Sequence, residues 1–189
     1  MYHKILFSIL ILYTSFSFAQ REVWEDSTSW IKEKKYETLK LYVIGEKKPF
    51  TGYTKRFENN SIVKHLYKNG KSDGCWSTYY IDGKIKEKGY YNMQNDYEGE
   101  YKKYHPNGNI MIEGKYKNNK KDGAWFYFDE NGKIVEGGHY FNDEKQGIWR
   151  FWNENGIMYY EEIFQNGELK SMIFYNNEDD TPLVPNIDK

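Results

Sequence analysis

Cysteine is all but missing from this chain. Cys75 stands alone among 189 residues, which excludes an internal disulfide and leaves packing to hold the fold. Beside Trp76 it reads as a small core filler rather than a reactive thiol. An excess of one charge is missing too, since 27 basic residues face 28 acidic ones for a net charge of −1. The two signs are interleaved with no polybasic block. Nucleic acid and anionic membrane surfaces both need a concentrated cationic face, so neither is expected as a partner. Helical periodicity is absent except over Thr28 to Lys35.

Long apolar runs are reduced to one. Ile5 to Phe18 follows Lys4 and ends in Ser17-Phe18-Ala19, which places small residues where a signal peptidase cuts, just before Gln20. The run is about 14 residues long, short of the ~20 that span a bilayer. Residues 1–19 are therefore expected to be a signal peptide. The protein is expected to be secreted or periplasmic after cleavage near Ala19, with no membrane insertion. Without residues 1–19 the count is 26 basic against 28 acidic residues, or −2. No cysteine follows the run, so no lipid attachment is expected there.

Aromatic residues are what the chain has in quantity, at 19% of the sequence with 19 tyrosines. They recur with a period. Gly74-Cys75-Trp76-Ser77-Thr78-Tyr79 is echoed by runs starting at Gly99, Gly123 and Gly147, spaced 25, 24 and 24 residues apart. A weaker copy starts at Gly52, 22 residues before Gly74, with Phe57 as its aromatic. Nine residues after each leading glycine comes a turn glycine, at Gly83, Gly108, Gly132 and Gly156, with Ser61 in that place in the first copy. An aliphatic residue follows (Val63, Ile85, Ile110, Ile134, Met158), and then a closing aromatic (Tyr67, Tyr91, Tyr116, Tyr140, Phe164).

Each copy reads as a β-hairpin. Asp82-Gly83, Asn107-Gly108, Asn131-Gly132 and Asn155-Gly156 tolerate the positive φ that tight turns demand, and Pro106 falls just before one of them. Gly89, Gly114 and Gly138 share a slot on the second strand and leave room for a neighbouring ring. The first-strand aromatics, two and five residues after the leading glycine, have opposite parity, so a bulge or strong twist is expected to bring both to one face. One hairpin is marginal in water, so the copies must cover one another and the ends need caps. The expected layout is an N-terminal segment at 20–48 with a capping strand over Tyr36–Ile44, an array at 49–175 closed by a half repeat over Leu169–Tyr175, and a loose tail at 176–189.

With G-x-W-x-x-Y, then N-G-K, an aliphatic residue and Y-x-N-G-K-x-D-G on the page, the chain resembles the MORN-repeat variant family, including bacterial YwqK-type antitoxin-like proteins. The likeness runs from Pro49 to about Tyr175. It implies an all-β, elongated, twisted antiparallel sheet of about five stacked hairpins acting in protein interaction or scaffolding.

Candidate chemistry is thin. His65, His105 and His139 fall at different repeat positions and do not line up as metal ligands. Glu87 and Glu136 share one position, but Ile112 intervenes, and they read as strand residues rather than as a hydrolytic pair. Asp73 and Asp122 read as turn formers. The expectation is a protein that is not an enzyme, with no catalytic, cofactor or metal site. Trp76, Tyr79, Tyr101, Tyr104, Trp125, Phe128, Trp149 and Trp152 are expected to form the stacked core. Tyr80, Phe126, Tyr127, Phe151, Tyr159 and Tyr160 are surplus rings that in a row would make an adhesive surface. A protein partner in the envelope or periplasm is the first functional expectation. A cell-wall glycan held by ring stacking, or a partner toxin, is the alternative.

Overall fold

A computed structural model describes residues 21–32 and 39–176. The signal peptide at 1–19, most of the 176–189 tail and the start of the Tyr36–Ile44 strand lie outside the described residues. Fifteen strands follow in order among those described: β1 (Glu22–Trp24), β2 (Thr28–Lys32), β3 (Leu39–Val43), β4 (Gly52–Glu58), β5 (Ser61–Lys68), β6 (Lys71–Tyr79), β7 (Ile85–Tyr90), β8 (Gly99–Tyr104), β9 (Ile110–Lys117), β10 (Lys120–Lys121), β11 (Gly123–Phe128), β12 (Ile134–Phe141), β13 (Glu144–Trp152), β14 (Met158–Gln165) and β15 (Glu168–Phe174). Thirteen of them form one open sheet, and β2 pairs with β3 in a second small one. The expected helical stretch after Thr28 is instead strand β2 over its described part.

From β4 to β15 neighbours in sequence are neighbours in space, all antiparallel, with β10 as a side branch on β9. The departure from a purely antiparallel sheet is β1, which docks parallel on β4 through Glu22↔Tyr53. A parallel neighbour needs a long crossover, and the passage through β2 and β3 supplies it. The N-terminal capping strand is thus β1 on the sheet edge. β3 reaches the array by backbone bonds, Leu41 N–H to Gly70 O (2.8 Å) and Phe50 N–H to Leu41 O (2.8 Å).

Two kinds of turn alternate. Between copies the turns are tight two-residue ones with φ positive at both centres, such as Asn69 (51°) with Gly70 (74°) and Asn142 (53°) with Asp143 (73°). Within copies two to five the left-handed residue is the glycine alone, for example Gly83 at 86°, whose N–H donates to Tyr80 O at 2.9 Å. The preceding Asp or Asn is therefore not the left-handed residue that the sequence suggested. After each of these turns the ladder skips one residue on the second strand, between Thr78/Tyr79, Lys103/Tyr104, Tyr127/Phe128 and Phe151/Trp152.

The first copy departs from this scheme. Asn59 and Asn60 make its turn, and Gly52↔Tyr67 to Glu58↔Ser61 pair without a skip. Ser61 is then the buried first residue of β5 rather than a turn residue. A tight turn and no bulge save two residues, which accounts for the 22-residue spacing against 24. The 25-residue spacing has its own cause: Tyr91 and Tyr97 bridge across a five-residue loop where the other copies use two.

The core is a line of tryptophans rather than a sandwich filling. Trp125 and Trp149 are 1% and 0% exposed, and Trp76 is 6% exposed. Each of the first two lies across the glycine slot of the preceding hairpin, where a Cβ on Gly114 or Gly138 would stand closer than 3.0 Å to the ring. Their indole N–H groups donate to Lys115 O and His139 O, both at 3.1 Å. Trp76 differs because its partner position on β5 is His65 rather than glycine. Its ring lies instead against Gly89 of its own hairpin, and its buried Nε1 has no hydrogen-bond partner.

Candidate interaction surface

Alternation along β6 to β14 places one continuous chain of rings on a single face. Trp76 contacts Tyr91 at 5.6 Å between centroids and Tyr97 at 5.6 Å. Tyr97 reaches Tyr116 at 5.3 Å, Tyr116 reaches Trp125 at 5.1 Å, and Trp125 reaches Tyr140 at 6.0 Å. Tyr140 then meets Trp149 at 4.9 Å. Tyr101 bridges Trp76, Tyr116 and Trp125 from the middle. The prevailing geometry is edge to face, as at Trp125–Tyr140 (87°) and Tyr116–Trp125 (84°), the arrangement that ring quadrupoles prefer.

Polar groups are threaded through this face. Tyr101 Oη donates to Glu87 Oε2 at 2.9 Å, and Lys145 Nζ donates to Glu136 Oε1 at 3.0 Å. Glu87 and Glu136 thus serve separate partners and do not act as a pair. Lys121 and Lys145 lie over the rings, the first 4.6 Å from the Trp125 centroid and the second 4.1 Å from that of Trp149. Burial raises the phenol pKa of Tyr91, Tyr101, Tyr116 and Tyr127 above the ordinary range. Burial and the Tyr127 hydrogen bond push Tyr140 up to about 12, against the opposing charges of Lys121 and Lys145. All these phenols are neutral hydrogen-bonding groups at neutral pH.

The structure divides the rings that the sequence grouped together. Tyr127 joins the ring face 6.5 Å from Trp149. Phe151 and Tyr160 stack at 4.2 Å with only 4° between planes, and Tyr160 continues to Phe174 at 5.6 Å. Tyr159 meets Tyr160 edge-on and is partly exposed. Phe126, next to Tyr127 on β11, points to the opposite face and covers Gly137. Tyr80 donates a long bond to Tyr104 O (3.4 Å) from the turn end. The six surplus rings are therefore not one row.

The core expectation divides in a similar way. Trp76, Tyr101, Trp125 and Trp149 share the ring face, but Tyr79 does not. Its Oη accepts from Ser77 Oγ at 3.3 Å, and Lys64 Nζ sits 4.6 Å over its ring, both from the opposite side of the sheet. The bulge expected to reunite the two first-strand aromatics is present, but it falls on the second strand and leaves the parity of β6 intact. Tyr104, Phe128 and Trp152 are half-buried at the turn end, and Phe128 O binds His105 Nε2 at 2.9 Å.

The opposite face carries an open trough of about 510 Å³ where β7 and β8 separate, lined by Tyr53, Cys75, Tyr79, Lys88, Tyr90 and Lys102 among others. No group of three or more metal-ligating side chains converges among the described residues. Sequence reasoning missed Lys121 and Lys145 as members of the ring face. Their signal was available, since each stands two residues before a leading glycine.

The sequence profile described as MORN repeat variant matches four tandem segments, residues 72–93, 97–118, 121–142 and 145–166. No curated protein matches the chain. Among solved structures, a crystal structure of a S. aureus TarM mutant in complex with Fondaparinux, alpha-GlcNAc-glycerol and UDP is 18% identical, with a TM-score of 0.31 over 64% of this chain and 21% of that one. A crystal structure of TarM is 16% identical, with a TM-score of 0.23 over 80% of this chain and 21% of that one. The chain spans about a fifth of the length of these proteins.

Proposed function

Because the chain belongs to the MORN-repeat variant family, whose repeats often bind and are generally non-catalytic, we propose that it is an exported scaffold for protein interaction in the cell envelope or periplasm. The ring-lined face is the docking surface. One observation carries this reading. From β6 to β14 the sheet is a single layer, and its continuous row of rings has no second sheet packed over it among the described residues. Export rests on the signal-peptide pattern of residues 1–19. An antitoxin role would be the special case in which the partner is a toxin acting outside the cytoplasm.

Crosslinking capture from envelope extracts, with the mature chain as bait, tests the proposal. A specific protein is expected with the parent and with Phe126→Ser, which alters the opposite face. It is expected to be lost with the double variant Phe151→Ser and Tyr160→Ser. Equal capture by both variants, or no specific protein with any, overturns it.

Glycan binding is a second reading, supported by the flat Phe151–Tyr160–Phe174 stack at the C-terminal end. Pelleting with purified cell-wall polysaccharide that disappears in Tyr160→Ser would favour it over the first.

A further inference from the structure

The lysine two residues before a leading glycine occurs in two successive copies with one difference. Lys145 Nζ lies 4.1 Å from the Trp149 centroid and 5.2 Å from that of Phe164. Two carboxylates of the chain answer its charge, Glu136 at 3.0 Å and Glu162 at 3.8 Å. Lys121, one copy earlier, occupies the corresponding cage, 4.6 Å from Trp125, 4.8 Å from Tyr140 and 5.7 Å from Tyr127. Its ammonium donates to Tyr127 Oη at 3.1 Å.

The two acids have no counterpart there. The positions 24 residues before Glu136 and Glu162 are Ile112 and Gly138. Gly138 has to be glycine because Trp149 lies across it. Asp143 uses Oδ1 to accept the Lys121 backbone N–H at 2.7 Å, and none of the described carboxylates ion-pairs with the Lys121 ammonium. Lys121 is thus a half-buried cation ringed by aromatic side chains, in a lattice that supplies a carboxylate at this point one copy later.

We propose that the Lys121 cage is a binding site for a carboxylate brought from outside, namely an Asp or Glu side chain on an extended segment of the protein partner. The inference rests on the partner-binding reading above and gives it a chemistry. A side-chain carboxylate fits better than an acidic sugar. Trp125 is 1% exposed, and its neighbours meet it at 84° and 87°, so no flat ring face is open for a pyranose. A carboxylate needs only end-on access to the ammonium, and charge-assisted hydrogen bonds to such a donor are the strong kind.

The test is NMR of isotope-labelled lysine side chains in the mature chain. The probes are acetyl-Gly-Ser-Glu-Tyr-Gly-amide, its Gln twin and free glucuronate. The Glu peptide is expected to shift Lys121 saturably and to bind about tenfold or more tighter than the Gln twin. Lys121→Gln is expected to abolish this. Ile112→Glu, which restores the carboxylate within the chain, is expected to abolish it too. Equal binding of the two peptides, persistence of the response in either variant, or saturation by glucuronate but not by the Glu peptide overturns the proposal. Failure here with envelope capture intact removes this site and leaves the scaffold reading standing. Saturation here without capture does the reverse.

Discussion

Trp149 lies across Gly138 so closely that a Cβ at that position would stand nearer than 3.0 Å to the indole. The two residues belong to successive copies, so this contact is the joint between one hairpin and the next. Gly114 and Trp125 repeat it one copy earlier. The glycine is there for space. Gly123 is there for backbone conformation, since its φ is 81° and a Cβ added to it would meet nothing within 4 Å.

That distinction predicts different costs for the same substitution. Gly138→Ala overpacks the joint and is expected to cost about 3 kcal/mol, whereas Gly123→Ala strains only the backbone and is expected to cost about 1 kcal/mol. Urea melts of the two variants provide the comparison. A Gly138→Ala protein as stable as Gly123→Ala would mean that the indole is not packed on that glycine.

The three tryptophans are expected to differ in how they tolerate Trp→Phe. Trp149 donates to His139 O at 3.1 Å, while Trp76 Nε1 is buried without a partner. Both changes lose ring area, but only Trp149→Phe strands a carbonyl. It is expected to cost about 1 kcal/mol more than Trp76→Phe, as read from denaturation midpoints. The opposite order would contradict the hydrogen-bond assignment.

His65 links stability to mild acid. Its pKa is lowered chiefly by burial and then by the charge of Arg56, with Glu25 and Glu58 opposing. A folded-state pKa below the unfolded value of about 6.5 means that the unfolded chain binds the proton more readily. This contribution to stability is complete above the unfolded pKa and declines as pH falls through it towards the folded value. His65→Gln is expected to flatten that part of the profile of urea midpoint against pH. An unchanged slope in the variant would rule His65 out.

The phenols give the mirror image at high pH. Tyr91, Tyr101 and Tyr140 are all raised, chiefly by burial. An acid with a raised folded pKa stabilises fully below its unfolded value, about 10 here, and that stability is lost as pH rises towards the folded one. Tyrosinate absorbance is therefore expected to appear in two stages, with the exposed phenols first and the ring-face phenols together with unfolding. A single stage near the free value, without loss of structure, would show that the ring face is open to water.

Much of this architecture was legible in order. Spaced glycines and aromatics marked the hairpins because turn backbones and strand alternation are local demands, met residue by residue. The slot shared by Gly89, Gly114 and Gly138 could be read as room for a ring because each has the same parity in its copy. Thr28 to Lys35 misled, since a short polar stretch carries little period of its own and its described part joins β3 as a strand. Ser61 misled because counting from Gly52 assumed a bulged turn, and Asn59-Asn60 closes the hairpin without one.

By itself, then, the order of residues determined an all-β array of about five hairpins with tryptophans at their joints, because φ preferences and the two-residue strand period act over a few neighbours. Which strand lies beside which was decided only in three dimensions. That choice turned Tyr79 to one face and Trp76 to the other, set His65 where a glycine would have received the indole, and left Lys121 among rings without an acid. Each of these depends on side chains about 10 to 40 residues apart in sequence, whose proximity follows from the pairing of strands and not from the spacing of residues along the chain.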